Sequence, residues 1–522
     1  MAQPKAVAHI DDLQDGEMKE VSVGDTDILL SRIDGTYYAM QAHCSHYGAS
    51  LAQGALSGTR VICPWHHACF DVTTGQHQEA PGVDGLPVYQ VTVEGDQVMV
   101  QLPEEKQRTV APALTTRASS DEHTVIVGGG PAALHALQAL RAAEYPGRIS
   151  LITAEDKAPY DRTTLSKKFL QDDAESNELL LRPTSFYQEH DVHLLVGKRV
   201  SQLDADRKTI QIEDGEELAY DQILLCTGST PRSLPVPGAD YSNVYTLRTL
   251  SDSQDLKKAA QQAKQVVIVG ASFIGMECAT SLQELGCTVT IVSPEKYPFA
   301  DKWGEPVGKM IKSLHQAEGI TFKSECQVER IEGSDRAESV VLDTGETLPA
   351  DWVVVGIGVE PATDFVVGLE MTDDGGIPVD ERLHAGKDIY AAGDIAQFPY
   401  QGNPVRIEHW RLASQQGKAA GRAMAGQPET FNKVPFFWTA QQGKNIRYVG
   451  FVKNYDDIIY QGEVEDQDFI AFYVKDGAVK AALGMNRDAE LAAIEHLIQQ
   501  NRMPEPSEIQ ANQVDWLTRL RA

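Results

Sequence analysis

Residues 124–144, TVIVGGGPAALHALQALRAAE, decide the fold. An apolar strand (TVIV) runs into a glycine turn (Gly128-Gly-Gly130-Pro-Ala-Ala133) and then into an Ala/Leu-rich helix, the rhythm of parallel α/β folds. The pattern returns at residues 265–286, QVVIVGASFIGMECATSLQELG, with Gly270-Ala-Ser272-Phe-Ile-Gly275 in the turn. Each copy is followed by a further short strand, ISLIT from Ile149 and TVTIV from Thr288. Glycines at these positions permit a tight turn and let a diphosphate approach backbone N–H groups at a helix N-terminus. One such turn is weak evidence. Two, each set between strand and helix, predict two Rossmann-like α/β nucleotide-binding domains.

Outward from this pair the texture changes on both sides. Residues 1–104 read as all-β, with short alternating runs between Gly- and Asp-containing turns. The segment 105–122 is rich in Thr, Ser, Ala and charge, shows neither hydrophobic period and reads as a linker. If flexible it would span about 25 Å. After residue 432 strand-like runs return (446–451, 469–474, 479–483). A helix over 489–499 follows, with Leu491, Ile494, Leu497 and Ile498 on one face, so residues 433–522 are expected to be α+β.

At 522 residues the chain is long enough for three or four domains, and 42% hydrophobic residues can fill their cores. Lys and Arg number 46 against 75 Asp and Glu, a net charge of −29. That excess repels phosphate backbones and anionic lipid, so nucleic acid and membrane surfaces are poor partners. No run of 18 apolar residues occurs, and the first 17 residues lack a signal-type apolar core, which together predict a cytoplasmic protein. Seven cysteines are too sparse and uneven for a disulfide scaffold.

Three of those cysteines lie close together among histidines. Cys44-Ser-His46 and Cys63-Pro-Trp-His66 form C-x-H, 16 residues, then C-x-x-H. A Rieske [2Fe–2S] centre holds one iron by two thiolates and the other by two imidazoles, and two such loops supply one of each. A Cys2His2 zinc site is the alternative, although zinc spacing usually pairs Cys with Cys and His with His. His67 directly follows a ligand and is read as a surface or outer residue, Cys69 as a small buried thiol, and His43 as having no independent role.

The first glycine turn suits FAD, with Gly128, Gly130 and Ala133 in the motif and Glu155 after the second strand as the acid for an adenosine ribose. The strand 389–391 ending in Gly393-Asp394 places a carboxylate for a ribityl hydroxyl. Residues 224–232, LLCTGSTPR, with Thr227, Gly228 and Arg232, join flavin and nicotinamide domains. In the second turn Ser272 replaces the middle glycine, where its hydroxyl can donate to phosphate. Ser293 stands where a selecting carboxylate is usual, Glu295 lies two residues on, and no arginine follows, so NAD is favoured over NADP despite nearby Lys296. The expected division is therefore 1–104 Rieske domain, 105–122 linker, 123–250 with 374–432 FAD-binding, 251–373 NAD(P)H-binding, and 433–522 C-terminal.

Residues 123–522 resemble the flavoprotein ferredoxin reductases of bacterial oxygenase systems and the apoptosis-inducing-factor-like flavoproteins. Pro159-Tyr-Asp-Arg162-Thr-Thr-Leu-Ser-Lys167 is similar to their PYxRPxLSK loop, with Thr163 in place of a proline. The whole chain resembles the apoptosis-inducing-factor-like members that carry an N-terminal Rieske domain. The resemblance implies that Arg162 and Lys167 contact the flavin and that Lys167 pairs with Glu277 beside flavin N5. It also implies that Trp438 lies against the isoalloxazine, with Glu408, His409 and Trp410 at the same wall. Gly358-Val-Glu360-Pro-Ala keeps the glutamate of a nicotinamide-binding motif but has Ala362 for its asparagine. High-potential Rieske proteins carry extra cysteines and hydroxyl donors where this chain has Ala49, Trp65, Ala68 and Phe70, so a potential near about −150 mV is expected. The stretch 162–170 lacks the C-x-x-C of disulfide reductases of this fold, which excludes dithiol chemistry.

A nicotinamide gives two electrons as a hydride and a [2Fe–2S] cluster accepts one at a time; a flavin converts between them. The chain therefore reads as an NAD(P)H-dependent FAD reductase feeding its own Rieske cluster and then a protein acceptor. A low-turnover, NADH-binding redox sensor is the alternative. Residues 1–104 hold four basic and fourteen acidic side chains, which suits a basic-faced partner. The last 90 residues are expected to cover the flavin or to mediate homodimer formation.

Overall fold

The computed structural model describes residues 3–115, 118–172 and 176–521. The N-terminal part is all-β, a six-stranded antiparallel sheet beside a four-stranded one built from Ala55–Ser57, Arg60–Ile62, Cys69–Asp71 and His77–Glu79. The first cluster loop follows Thr36–Gln41 of the larger sheet, the second joins Arg60–Ile62 to Cys69–Asp71 of the smaller, and both pack on a core containing Leu29, Met40, Val61, Phe70 and Leu86.

Two sheets with parallel central strands follow, built alike. His123–Val127 lies between Arg148–Ile152 and Gln222–Leu225; Gln265–Val269 lies between Thr288–Ser293 and Trp352–Val355. All six are buried on both faces for most of their length, as strands sandwiched by helices must be. Each leading strand ends at its glycine turn and enters a helix, Pro131–Ala142 in the first copy and Phe273–Glu284 in the second.

Two antiparallel segments, Ser229–Pro231 and Val359–Pro361, form the crossing between these bodies. Sheet pairing thus changes before 250/251 and before 373/374. Val244–Tyr245 already pairs with Trp352–Val355 of the second sheet, and Val366–Val367 pairs with Val200–Asp204 of the first body. What the sequence marks near residue 250 is a helix start. Thr249 and Asp252 form a capping box for Leu250–Gln262.

The C-terminal part is a five-stranded antiparallel sheet with the helix Asp488–Gln499 against it. Its alternation sorts the two faces. Tyr448, Phe469, Ala471, Tyr473 and Leu483 join the core of the second α/β body, while Val449, Ile470, Phe472 and Ala482 join a core with Leu491, Ile494 and Leu497. That second core also takes in Ala55, Ile62 and Cys69 of the N-terminal part, so both faces of the sheet are covered within one chain.

The 105–122 segment is laid down as a strap where it is described; Thr116 and Arg117 lie outside the described residues. Val110 exchanges both backbone hydrogen bonds with Gly85 (2.8 and 2.9 Å), and Thr115 N–H donates to Arg141 O (3.2 Å). These backbone groups fix the strap without apolar periodicity, so hydrophobic patterning gives no sign of it.

Candidate functional site

The two cysteine–histidine loops share one geometry. Cys44 N–H donates to Ala49 O (2.9 Å) and Gly48 N–H to Cys44 O (3.0 Å); Cys63 N–H donates to Ala68 O (2.8 Å) and His67 N–H to Cys63 O (3.1 Å). The fifth residue of each loop must turn left-handed, and it is Gly48 (φ 75°) in one and His67 (φ 56°) in the other.

The loops bring the four predicted ligands together in pairs. The Cys44 and Cys63 thiols are buried and lie beside each other. The Nδ1 atoms of His46 and His66 face each other at 3.2 Å. Burial holds His46 down to about 4 and His66 well below the usual imidazole value, so both rings are neutral, the ligating form. No three of these donor atoms lie within 4.8 Å of one another. Donors on a single tetrahedral zinc would lie within about 4 Å of each other. Two thiols at one end and two imidazoles at the other fit a two-iron cluster instead. Backbone N–H groups of His46 and Tyr47 serve the Cys44 sulfur and those of Trp65 and His66 the Cys63 sulfur, while Ala49, Ala68 and Phe70 present buried apolar groups.

The first glycine turn is tightly cradled. A Cβ on Gly128 would lie 2.2 Å from Cys226 O and one on Gly129 2.3 Å from Thr153 Oγ1, whereas Gly130, at the N-terminus of Pro131–Ala142, faces open space. Ala133 is buried beneath the turn. Glu155 accepts from Tyr160 Oη (2.6 Å) and forms an ion pair with Arg162, whose guanidinium also donates to Arg248 O (3.2 Å). Arg248 in turn meets Asp394 Oδ2 at 3.0 Å, beside Ser229 Oγ (2.7 Å) and the left-handed Gly228. Gly393 N–H donates to Gln416 Oε1 (2.7 Å).

Arg406 bridges Asp394 O and Glu408 Oε1, and burial raises the Glu408 carboxyl above its ordinary range. His409 is held neutral by burial, down to about 4, and its Nδ1 is buried without a partner among the described residues. Trp410 opens the helix Trp410–Met424. This orphaned nitrogen and the open space at Gly130 fit a bound group running from the glycine turn to the His409 wall.

At the far end Glu277 accepts from Lys167 Nζ (2.7 Å), Ser166 Oγ (2.5 Å) and Thr439 Oγ1 (2.7 Å). Thr439 follows Trp438 on the strand Phe436–Gln441, and the Trp438 ring lies 4.5 Å from the His66 ring. Phe437 points the other way, 4.9 Å from His409 and 4.4 Å from Phe273.

In the second turn Gly270 (φ 103°) and Gly275 have no room for a Cβ. Ser272 caps its helix by accepting from Gly275 N–H (3.2 Å), which leaves its own O–H free to donate. Ser293 Oγ donates to the Glu295 carboxylate at 2.5 Å. Two predicted residues serve the crossing: Thr227 Oγ1 donates to Ala362 O (2.7 Å), and the exposed Arg232 donates to Val359 O (3.1 Å). Glu360 is exposed on that same crossing strand. Sequence reasoning missed Arg248, Ser166, Thr439 and Tyr47, whose hydroxyl reaches Asp161 at 2.5 Å. Ser166 stands inside the Pro159–Lys167 loop and Tyr47 and Thr439 adjoin predicted residues, whereas Arg248 lies in no motif.

The pattern of the pyridine nucleotide-disulphide oxidoreductase family matches residues 122–417, more than half of the chain. The chain belongs to that family. The Rieske [2Fe-2S] domain pattern matches residues 3–90 and the reductase C-terminal pattern residues 436–520. Apoptosis-inducing factor 3 of Mus musculus is 34% identical, covering 98% of this chain and 88% of that protein. The ferredoxin–NAD(+) reductase component of the biphenyl dioxygenase system of Paraburkholderia xenovorans is 33% identical, covering 72% and 92%. Among solved structures, the reductase chain it resembles in the covalent putidaredoxin reductase–putidaredoxin complex is 29% identical with a TM-score of 0.72, covering 77% of this chain and 99% of that one. The family member described here is thus an NAD(P)H-dependent flavoprotein oxidoreductase carrying a Rieske domain.

Proposed function

We propose that this reductase takes a hydride from NADH at its second α/β body and delivers the electrons singly to its own cluster, and onward to a protein acceptor. The carrying observation is contiguity: Glu277, Thr439, Trp438 and His66 form one unbroken set of contacts from the family's nucleotide-binding core to a cluster ligand. A flavin, when bound, accepts a hydride and gives up its electrons one at a time, which is the chemistry a two-electron donor and a one-electron cluster require.

The chain's own residues hold and tune that group. Gly128–Gly130 and the helix behind them receive a diphosphate; Glu155 and Asp394 offer carboxylates to its sugar hydroxyls; His409, with Phe437 against it, forms its wall. Trp438, on the other face of that strand, leads to His66. Lys167 sets a positive charge at the reacting end, and Glu277 moderates it. Glu295, held by Ser293, supports NADH as the donor. The same contiguity, in a family with ferredoxin–NAD(+) reductases among its members, weighs against a low-turnover sensor.

The acidic N-terminal domain favours an acceptor with a basic face. Anaerobic stopped-flow mixing with NADH tests the relay. Flavin bleaching should be followed by the EPR signal of a reduced Rieske cluster in the same protein. Flavin that bleaches while the cluster stays oxidised defeats the reading. A higher kcat/KM with NADPH than with NADH defeats the choice of donor.

A further inference from the structure

A left-handed backbone at the fifth loop position is unstrained for Gly48 but costs a residue with a side chain, and the second loop nevertheless places His67 there. Its ring is completely buried, 4.1 Å from the Phe436 ring, and its Nδ1 meets the Glu495 carboxylate. The His67 carbonyl accepts from Arg411 (3.0 Å), which also donates to Glu495 (2.7 Å) and to Ala80 O (2.9 Å). On the other side of His66, Arg447 donates to Trp65 O at 2.7 Å. Adjacent loop residues thus meet alternate residues of one strand: His66 faces Trp438 and His67 faces Phe436. The strand's two-residue period sets where the ligand lands.

Domains joined by a flexible tether and a wet polar surface move by default. Here the N-terminal domain shares an apolar core with the C-terminal sheet and helix, and its ligand loop is gripped by two buried arginines. We infer that His67 is a positioning residue, a knob that locks the cluster domain permanently onto the reductase, so that flavin and cluster exchange electrons within one chain without domain motion. The inference about electrons rests on the relay proposed above; the inference about docking does not.

The test uses the full-length, cofactor-loaded protein with His67→Gly, which suits the left-handed backbone and keeps all four ligands. Iron and acid-labile sulfide contents should match wild type. Amide hydrogen exchange over residues 63–70 should quicken about tenfold or more as the dock loosens, and flavin-to-cluster transfer should slow by at least about tenfold. His67→Asn, which tolerates the same backbone and keeps a donor for Glu495, should recover part of both. Arg447→Met, whose orphaned Asp488 is partly exposed and can rehydrate, should act in the same direction and decides the matter if His67→Gly loses its cluster. In wild type the transfer rate constant should not change with protein concentration. Unchanged exchange and transfer in both variants, or a wild-type rate rising with concentration, overturns the proposal. A wild-type cluster that never reduces condemns the relay alone, and the exchange data still judge the dock.

Discussion

At the scale of single residues, the cluster's tuning is set by what its sulfurs lack. Ala68 closes the second ligand loop with no hydroxyl, and backbone N–H groups are the sulfurs' donors. Ala68→Ser should place one O–H near a sulfur, favour the more negative reduced state by about 1.4 kcal/mol and raise the midpoint potential by roughly 60 mV. Redox titration by EPR reads this, and an unchanged or lower potential contradicts it. Glu277→Gln keeps partners for Ser166 and Thr439 but leaves Lys167 without a counter-ion. An uncompensated cation stabilises reduced flavin, so the flavin midpoint should rise by ~30 mV or more, read by dye-coupled reduction. Residues of this kind divide by legibility. Cys44, His46, Cys63 and His66 announce themselves because metal chemistry restricts residue type and spacing. His67 does not, because the carboxylate that explains it lies 428 positions away.

At the scale of elements, the glycine turn works only if its helix is held close to the flavin wall. The helix Trp410–Met424 packs on Pro131–Ala142 through Gly417 and Gly421, whose added Cβ atoms would lie 2.1 Å from Ala132 O and 2.3 Å from Ala136 O. Backbone blocks both positions, so neither helix can yield by a rotamer change. Gly417→Ala should cost about 1–3 kcal/mol through forced separation. Because Gln416 next to it accepts from Gly393 N–H, the variant should also lose flavin on gel filtration. A variant with wild-type thermal midpoint and full flavin content would show that the two helices adjust more freely than their contact implies. The strand–turn–helix units were readable because parallel, doubly buried strands need continuous apolar runs. The C-terminal sheet was readable from its short apolar runs, 446–451, 469–474 and 479–483. The strap was not, since Val110 is fixed by backbone hydrogen bonds that any residue offers and Thr115 by its N–H and hydroxyl on one carbonyl, neither of which leaves an apolar period. Near residue 250 a helix cap is the punctuation, and the sheet change lies elsewhere, in the paired crossing strands.

At the scale of the whole molecule, charge works differently outside and inside. Outside, the N-terminal domain's fourteen acidic against four basic side chains should steer a basic acceptor, so turnover with the true acceptor should fall as salt rises from about 10 mM to 150 mM; flat turnover across that range would count against such a face. Inside, charges hold the domains together. Glu79 is buried in the N-terminal domain, and it accepts from Lys433 (2.6 Å) and Gln415 (3.0 Å) of the reductase. Burial alone would raise its carboxyl, but Lys433 and Lys418 outweigh that and hold it down to about 2. A carboxyl depressed on folding contributes stability above its unfolded value, near 4.5, and loses it as pH falls through the folded one. The ion pair should therefore contribute about 3 kcal/mol at pH 7, shrinking between pH 4.5 and about 2. Comparing thermal midpoints of wild type and Glu79→Gln across that range isolates the group from the many other carboxylates. The gap should be widest at neutral pH and close toward pH 2, because protonated Glu79 and glutamine then offer the lysines the same neutral partner. A gap that stays constant with pH would mean that shape, rather than charge, holds this part of the interface.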